Sequence, residues 1–125
     1  MASRDGHVVV TFNGEIYNYI ELREILSRDV QFRTQTDTEV LIQAYRKWGI
    51  GMLARLDGLF AFALWDCRIR RLLCARDHVG IKPFYYSHVN GRFLFASEPR
   101  ALLAGLQSRG TIDTHRIAEF LVLGV

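Results

Sequence analysis

An Asn-Gly-Glu triplet at Asn13, Gly14 and Glu15 follows an apolar segment near the start of the 125-residue chain. Attack on an amide carbonyl generates an oxyanion, which needs two aimed hydrogen-bond donors. The side-chain amide of Asn13 and the backbone N–H of Gly14 can supply them, because glycine lets the chain approach a ligand without a Cβ. Asn-Gly is also a common turn dipeptide, so a plain turn is the alternative interpretation.

Asp37 has a similar ambiguity. It stands where a helical pattern begins, and an acidic residue there usually caps the helix or interacts with its dipole. A carboxylate at the same place can also receive the ammonium group of an amino-acid ligand. Further along, Arg76, Asp77 and Lys82 share one loop between apolar segments. A structural ion pair is the simpler interpretation of that loop.

The first half of the chain predicts one strand and two helices. Residues 8–12 are β-branched and apolar, which predicts a strand that ends at an Asn13-Gly14 break. Residues 18–27 predict a helix with its apolar side chains at Tyr19, Leu22, Ile25 and Leu26. A second helix begins at Thr36, which stands in capping-box spacing with Glu39, and ends at Gly49.

The second half predicts antiparallel strands and two short helices. Residues 58–66 are apolar on both alternating faces, which predicts a strand buried from both sides and paired in a hairpin with residues 71–77. A second hairpin turns at Asn90-Gly91. Residues 98–103 predict a helix, and Asp113 or Thr114 caps a last one with an apolar face at Ile117, Phe120 and Leu121. Together these elements predict an α+β layered domain.

Composition excludes several classes of function. No apolar run approaches the length of a membrane span, and the first residues lack the organisation of a secretory signal, so a cytoplasmic protein is expected. The net charge of +3 comes mainly from scattered arginines, and the basic cluster at residues 68–71 reads as a solvated turn, which gives no nucleic-acid interface. Cys67, Cys74 and the dispersed histidines have no metal-ligand spacing, and Cys74 is expected to be a buried core thiol.

Five motifs, in this order, resemble the glutaminase domain of glutamine-hydrolysing asparagine synthetases. They are FNGEIYNYIELREIL, FRTQTDTEVLIQAYRKWG, LDGLFAFALWD, LLCARDHVGIKPFYY and FLFASEPRALL. The resemblance runs from about His7 to the C-terminus, and residues from about 111 to 125 resemble the start of the connection to a synthetase domain.

The resemblance implies a class II amidotransferase of the N-terminal-nucleophile hydrolase fold, a four-layer αββα sandwich. In that family an amino-terminal cysteine hydrolyses glutamine, and the ammonia passes to a second domain that uses ATP and magnesium to amidate aspartate. By motif match, Asn13 and Gly14 form the oxyanion hole, Glu15 helps to fix the bound glutamine, and Asp37 binds its α-amino group. Capping by Asp37 can coexist with that role.

The chain departs from the family at both ends. The family begins Met-Cys-Gly, whereas Ala2 is the second residue here, and a methyl group cannot form a thioester. The first strand, the arginine that holds the substrate carboxylate and the ATP-binding domain have no counterpart in these residues. The expectation is therefore a partial domain, inactive alone and prone to self-association through exposed sheet edges. The alternative is a non-catalytic module that keeps the fold and binds a ligand or a protein.

Overall fold

The computed structural model describes residues 1–106, 111 and 113–124, and these residues form an α+β fold. One antiparallel sheet has the strand order β1 (Val8–Ile16), β2 (Gly58–Asp66), β3 (Arg71–Arg76), and a second pairs β4 (Tyr85–Val89) with β5 (Arg92–Ala96). The helices are α1 (Tyr19–Leu26), α2 (Asp37–Trp48), a 3-10 helix (Gly49–Arg55), α3 (Pro99–Gly105) and α4 (Thr114–Leu123).

Strand β1 continues through Asn13 and Gly14, so the expected break and the alternative of a turn are both wrong. Asn13 lies opposite Ala61 and Gly14 lies opposite Phe60 in a nine-residue pairing with β2. Long-range pairing with the apolar strand β2 overrides the local tendency of Asn-Gly to turn, and glycine can adopt the backbone conformation that the pairing requires at position 14.

One face of the three-stranded sheet packs on α1 and α2. Side chains alternate along a strand, and the even-numbered residues of β1 and β2 point towards the helices. The core between them consists of fully or nearly fully buried apolar side chains, among them Val8, Val10, Ile16, Leu22, Leu26, Val40, Leu41, Phe60, Phe62 and Leu64. Ile25, which was expected on the buried face of α1, is 43% exposed instead.

Helix α2 begins and ends where its sequence predicts. The hydroxyl of Thr36 accepts a hydrogen bond from the backbone N–H of Glu39, and Gly49 closes the helix. The reciprocal half of the capping box is absent among the described residues. The carboxylate of Glu39 turns instead to the backbone N–H groups of Arg33 and Thr34 and to the hydroxyl of Thr34, at 2.6–3.1 Å.

The second sheet lies on the side of the other face of the first sheet, and a cleft separates the two. Phe95 lies in a cleft between the two sheets, whereas the neighbouring Leu94 points to the opposite side, where it meets Gly105 of α3. The turn between β4 and β5 has positive φ at Asn90 (52°) and Gly91 (72°), as the type I′ prediction requires.

Helix α4 lies in the C-terminal region. Asp113, one of the two expected caps, accepts hydrogen bonds from the N–H groups of residues 115 and 116. The expected apolar face is not buried: Ile117, Phe120 and Leu121 are 47%, 62% and 76% exposed. The expected connecting segment at 111–125 falls partly outside the described residues. Within the described ranges, every helix is too short or too polar to cross a membrane.

Candidate functional site

The outer edge of β1 exposes backbone N–H groups. Hydrogen bonds from Tyr17 N–H to the carbonyl of Asp57 (2.7 Å) and from Cys67 N–H to the carbonyl of His7 (2.9 Å) flank the β1–β2 ladder. In an antiparallel ladder every second residue directs its N–H and C=O groups towards the partner strand. The N–H groups of the odd-numbered residues of β1 therefore point towards β2. The N–H groups of even-numbered residues, including Gly14, therefore point to the outer edge.

Most of that edge is occupied. Residues 1–3 run alongside its first part, where Val10 N–H donates to the carbonyl of Met1 at 2.8 Å and Val8 N–H donates to the hydroxyl of Ser3 at 3.0 Å. At its end, Ile16 N–H donates to Asp37 Oδ2 at 3.1 Å. Between these two occupied stretches, the N–H groups of Phe12 and Gly14 find no acceptor among the described residues, which leaves two neighbouring donors open at the edge.

Only glycine fits at position 14. Its φ is +144°, a value that side chains rarely allow, and a Cβ built there would lie 2.7 Å from the Cα of Phe60 and in still closer contact with the carbonyl oxygen of Leu59. The backbone of β1 therefore approaches β2 as closely as the chain permits. This packing holds the Gly14 peptide, and with it the outward N–H, in one orientation.

Asn13 and Glu15 point to the opposite face from the core, on the side of the second sheet. Asn13 lines the cleft between the sheets, about 340 Å³ in volume, together with Ala61, Phe84 and Phe95. Its side-chain amide forms no hydrogen bond with a described residue. The side-chain amide of Asn13 thus points out of the sheet plane, and the N–H of the neighbouring Gly14 points outward within that plane, at the same edge.

Asp37 joins the start of α2 to the end of β1. Its Oδ2 holds Ile16 N–H, while Oδ1 accepts a hydrogen bond from the hydroxyl of Thr38 at 3.3 Å. Glu39 orders the loop that leads into Asp37. Burial raises the pKa of Glu39, but hydrogen bonds from the Arg33 N–H and from Thr34 outweigh burial and lower it overall. Glu39 is therefore a buried anion that positions the Asp37 segment.

The loop after β3 is held by a buried carboxylate, and the expected ion pair is wrong. Asp77 accepts hydrogen bonds from the N–H groups of residues 79, 81 and 82 at 2.9–3.2 Å. The guanidinium of Arg76 donates to the carbonyls of Gly80 and Lys82 rather than to a carboxylate. Burial raises the pKa of Asp77, but the backbone hydrogen bonds lower it to about 2. This loop leads into Pro83 and Phe84, which form a wall of the cleft.

Sequence reasoning missed the positioning roles of Glu39 and Asp77, although both residues carried a signal. The spacing of Glu39 from Thr36 indicated a capping box, but not a role in ordering the loop before Asp37. Asp77 lies in a loop with Gly80 and Pro83, and in such loops an Asp side chain often accepts a hydrogen bond from the backbone two residues ahead.

The two cysteines lie far from the Gly14 N–H. Cys67 is exposed beside His7, six residues along the ladder from Asn13, or about 20 Å. Cys74 lies two strands away, opposite Ala63, which places it about 12 Å from Asn13. Cys74 is half-buried rather than a core thiol, and burial raises its pKa.

Comparison with known proteins places the whole chain in one family. Residues 1–125 match the glutamine amidotransferase domain family. Glutamine-hydrolysing asparagine synthetases 3 and 1 of Bacillus subtilis (strain 168) are 40% and 42% identical to it over 116 and 113 residues. These alignments cover 92% and 90% of this chain but 19% and 18% of the two relatives, so the chain spans about a fifth of their length.

A solved structure has the same fold. Glutamine phosphoribosylpyrophosphate amidotransferase from B. subtilis, complexed with ADP and GMP, matches 82% of this chain and 24% of its own chain with a TM-score of 0.67. The sequences are 24% identical, so this match bears on the fold alone. The chain belongs to the class II glutamine amidotransferase domain family and is homologous to glutamine-hydrolysing asparagine synthetases.

Proposed function

We propose that the open edge of β1 binds glutamine, in a protein that uses the released ammonia to convert aspartate to asparagine. The observation that carries the proposal is the arrangement along this edge, where Gly14 N–H is open and the Asp37 carboxylate lies in front of Ile16 N–H. Asn13 and Gly14 then act as the oxyanion hole, and Asp37 holds the α-ammonium group. Glu15, on the same face as Asn13, helps to fix the ligand.

The spacing along the edge suits glutamine. Gly14 N–H and Ile16 N–H are two residues apart, or about 7 Å. Four covalent bonds separate the side-chain carbonyl carbon of glutamine from its α-nitrogen, a distance of about 5 Å when the chain is extended. With its carbonyl oxygen at Gly14 N–H, glutamine brings its ammonium within hydrogen-bond reach of the Asp37 carboxylate. Asparagine, one bond shorter, does not reach both groups.

Hydrolysis needs a thiol from outside these 125 residues. A nucleophile must come within about 3–3.5 Å of the carbonyl carbon, and both cysteines lie several times farther from Asn13. We therefore propose that a polypeptide limited to these residues binds glutamine without releasing ammonia. In the whole protein, a cysteine supplies the thiol, and a synthetase domain reached through residues 111–125 supplies the site for ATP and magnesium.

The same proposal covers the architecture and the setting. The contacts of α2 with one sheet and with α1, and of α3 with the far side of the other sheet, support a four-layer αββα sandwich. Cytoplasmic location follows from asparagine formation with ATP. A non-catalytic ligand-binding module is the second candidate, and the distance of both thiols from the β1 edge favours it.

Calorimetric titration of the full chain with L-glutamine tests the binding proposal. We expect saturable binding in the millimolar range, much weaker binding of L-asparagine, and a loss of about tenfold or more in Asp37→Asn, which keeps the side-chain shape and removes the charge. Asp29→Asn is the matched control, because Asp29 is exposed and pairs with Lys47 away from the edge. Equal affinity of the two variants would refute the assignment of Asp37.

An ammonia assay tests the argument that neither thiol of the chain reaches the glutamine carbonyl. We expect no ammonia from glutamine with the 125-residue chain. Ammonia release that disappears in Cys74→Ser or Cys67→Ser would contradict the argument from distance.

A further inference from the structure

A second polar groove runs along α2, whose Glu39, Gln43, Arg46 and Lys47 line one of its sides. The end of α1 and the segment 28–33 form the rest, and Arg4 reaches it from the N-terminal turn. Its volume is about 430 Å³, within the usual size of a small-molecule site. Glu39 is its lining residue nearest in sequence to Asp37, whereas Gln43 and Arg46 lie six and nine residues beyond Asp37, or about 9 and 14 Å along the helix.

The groove has an excess of unpaired positive charge. Four cationic side chains line it, those of Arg4, Arg33, Arg46 and Lys47. Arg46 pairs with Asp5 at 3.0 Å and Lys47 pairs with Asp29 at 2.5 Å. Among the described residues, no carboxylate lies within 4.0 Å of the guanidinium groups of Arg4 or Arg33, so two full positive charges face the groove.

Glu39, the other carboxylate in the groove, forms no ion pair with Arg4 or Arg33, although its charge offsets one of the positive charges of the lining. Glu39 directs its oxygens to the backbone N–H groups of Arg33 and Thr34 and to the Thr34 hydroxyl. Those bonds use the acceptor capacity of Glu39 inside the loop and leave the Arg33 side chain outside it.

Gln43 adds a neutral donor. Its side chain lines the groove although the residue is only 7% exposed. Its Oε1 is buried without a hydrogen-bond partner, whereas Nε2 is not among the buried unpartnered atoms and has no partner among the described residues. The amide therefore presents its NH2 group to the groove. Arg23, which orders the adjoining segment by donating to the carbonyl of Thr34 at 2.7 Å, has a buried Nη1 without an acceptor.

We propose that this groove binds the phosphate group of a small molecule, through the guanidinium groups of Arg4 and Arg33 and the side-chain amide of Gln43. The unpartnered polar side chains that line the groove are those of Arg4, Arg33, Gln31 and Gln43; each carries hydrogen-bond donors, and the two arginines carry positive charge. A tetrahedral dianion has enough acceptor oxygens for two guanidinium groups and an amide, and arginine forks match phosphate oxygens in pairs. The remaining volume admits a group esterified to the phosphate.

NMR titration of the full chain tests the proposal, with inorganic phosphate and glycerol 3-phosphate as probes and sodium chloride at equal ionic strength as the screening control. We expect saturable shifts of the Gln43 side-chain NH2 and the Arg33 amide with both phosphates, and none with chloride. Tighter binding of glycerol 3-phosphate identifies an ester as the ligand; tighter binding of inorganic phosphate identifies the free ion, and either result supports a phosphate site.

Charge-removal variants supply the decisive comparison. Arg33→Gln and Arg4→Gln should each weaken phosphate binding about tenfold, whereas Arg92→Gln on β5 should leave it unchanged. The variants are suited to the test because neither side chain has a carboxylate partner to lose. Shifts that follow ionic strength alone, or equal phosphate affinity in Arg33→Gln and Arg92→Gln, would overturn the proposal. Glutamine titrations report on the β1 edge separately.

Discussion

Replacement of Gly14 by alanine tests how β1 is built. The added Cβ meets the Cα of Phe60 at 2.7 Å and the carbonyl oxygen of Leu59 still closer, at a φ of +144°. Backbone strain of this kind costs about 1–3 kcal/mol, and overpacking against an adjacent strand costs a further 1–3 kcal/mol or so. We therefore expect Gly14→Ala to lower the free energy of unfolding by about 2–6 kcal/mol.

Urea unfolding followed by far-UV circular dichroism measures that loss. With a slope of about 2 kcal/mol per molar urea, the midpoint should fall by about 1–3 M. Gly51→Ala is the matched control, because nothing lies within 4 Å of a Cβ at Gly51, and it should change the free energy of unfolding by no more than about 1 kcal/mol. A Gly14→Ala midpoint equal to that of the control would refute the close approach of β1 to β2, and with it the fixed orientation of the Gly14 N–H.

Three further predictions concern stability. Glu39→Gln should destabilise the fold by about 1–3 kcal/mol at neutral pH, because one bound oxygen becomes a donor that faces N–H groups. Since the folded pKa of Glu39 is lowered, its contribution is complete above about pH 4.5 and is lost as pH falls through the folded pKa, so the urea midpoints of Glu39→Gln and the wild type should converge in acid. Asp66 and Asp77 each have a pKa of about 2, against an ordinary value of 3.8, and the Arg68 side chain is the main cause at Asp66. The free energy of unfolding of the wild type should therefore fall between about pH 4 and pH 2, and it should fall less steeply in Asp77→Asn. Asn18→Ala should cost about 1–3 kcal/mol by urea unfolding, because the Asn18 amide joins the start of α1 to the carbonyl of residue 55 and to the N–H of residue 57; a loss below about 0.5 kcal/mol would contradict that role.

Local patterns predicted the elements whose signals are local. The Asn90-Gly91 turn, the Thr36 cap and the Gly49 stop each depend on residues within one turn, and each is as predicted. The 3-10 helix at Gly49–Arg55 was missed, because its residues have neither the length nor the period of a recognisable helix.

Long-range pairing accounts for the errors. Asn13-Gly14 looks like a turn when only its neighbours are considered, and its place in the strand depends on β2, more than forty residues away. The contact of Asp37 with Ile16 N–H joins residues 21 positions apart. Family resemblance marked Asn13, Gly14 and Asp37 as candidates, whereas their spacing alone did not, and neither indicated that the three lie along one sheet edge.

The resonance of the Gly14 amide gives the most direct test of the proposed glutamine site. We would record ¹⁵N–¹H spectra of the full chain during addition of L-glutamine, with L-asparagine as the shorter control. If glutamine binds at the β1 edge, the Gly14 N–H resonance should move downfield and saturate as the carbonyl oxygen accepts its hydrogen bond, and Ile16 should shift with it. An unchanged Gly14 resonance at saturating glutamine, or an equal shift with asparagine, would contradict the account.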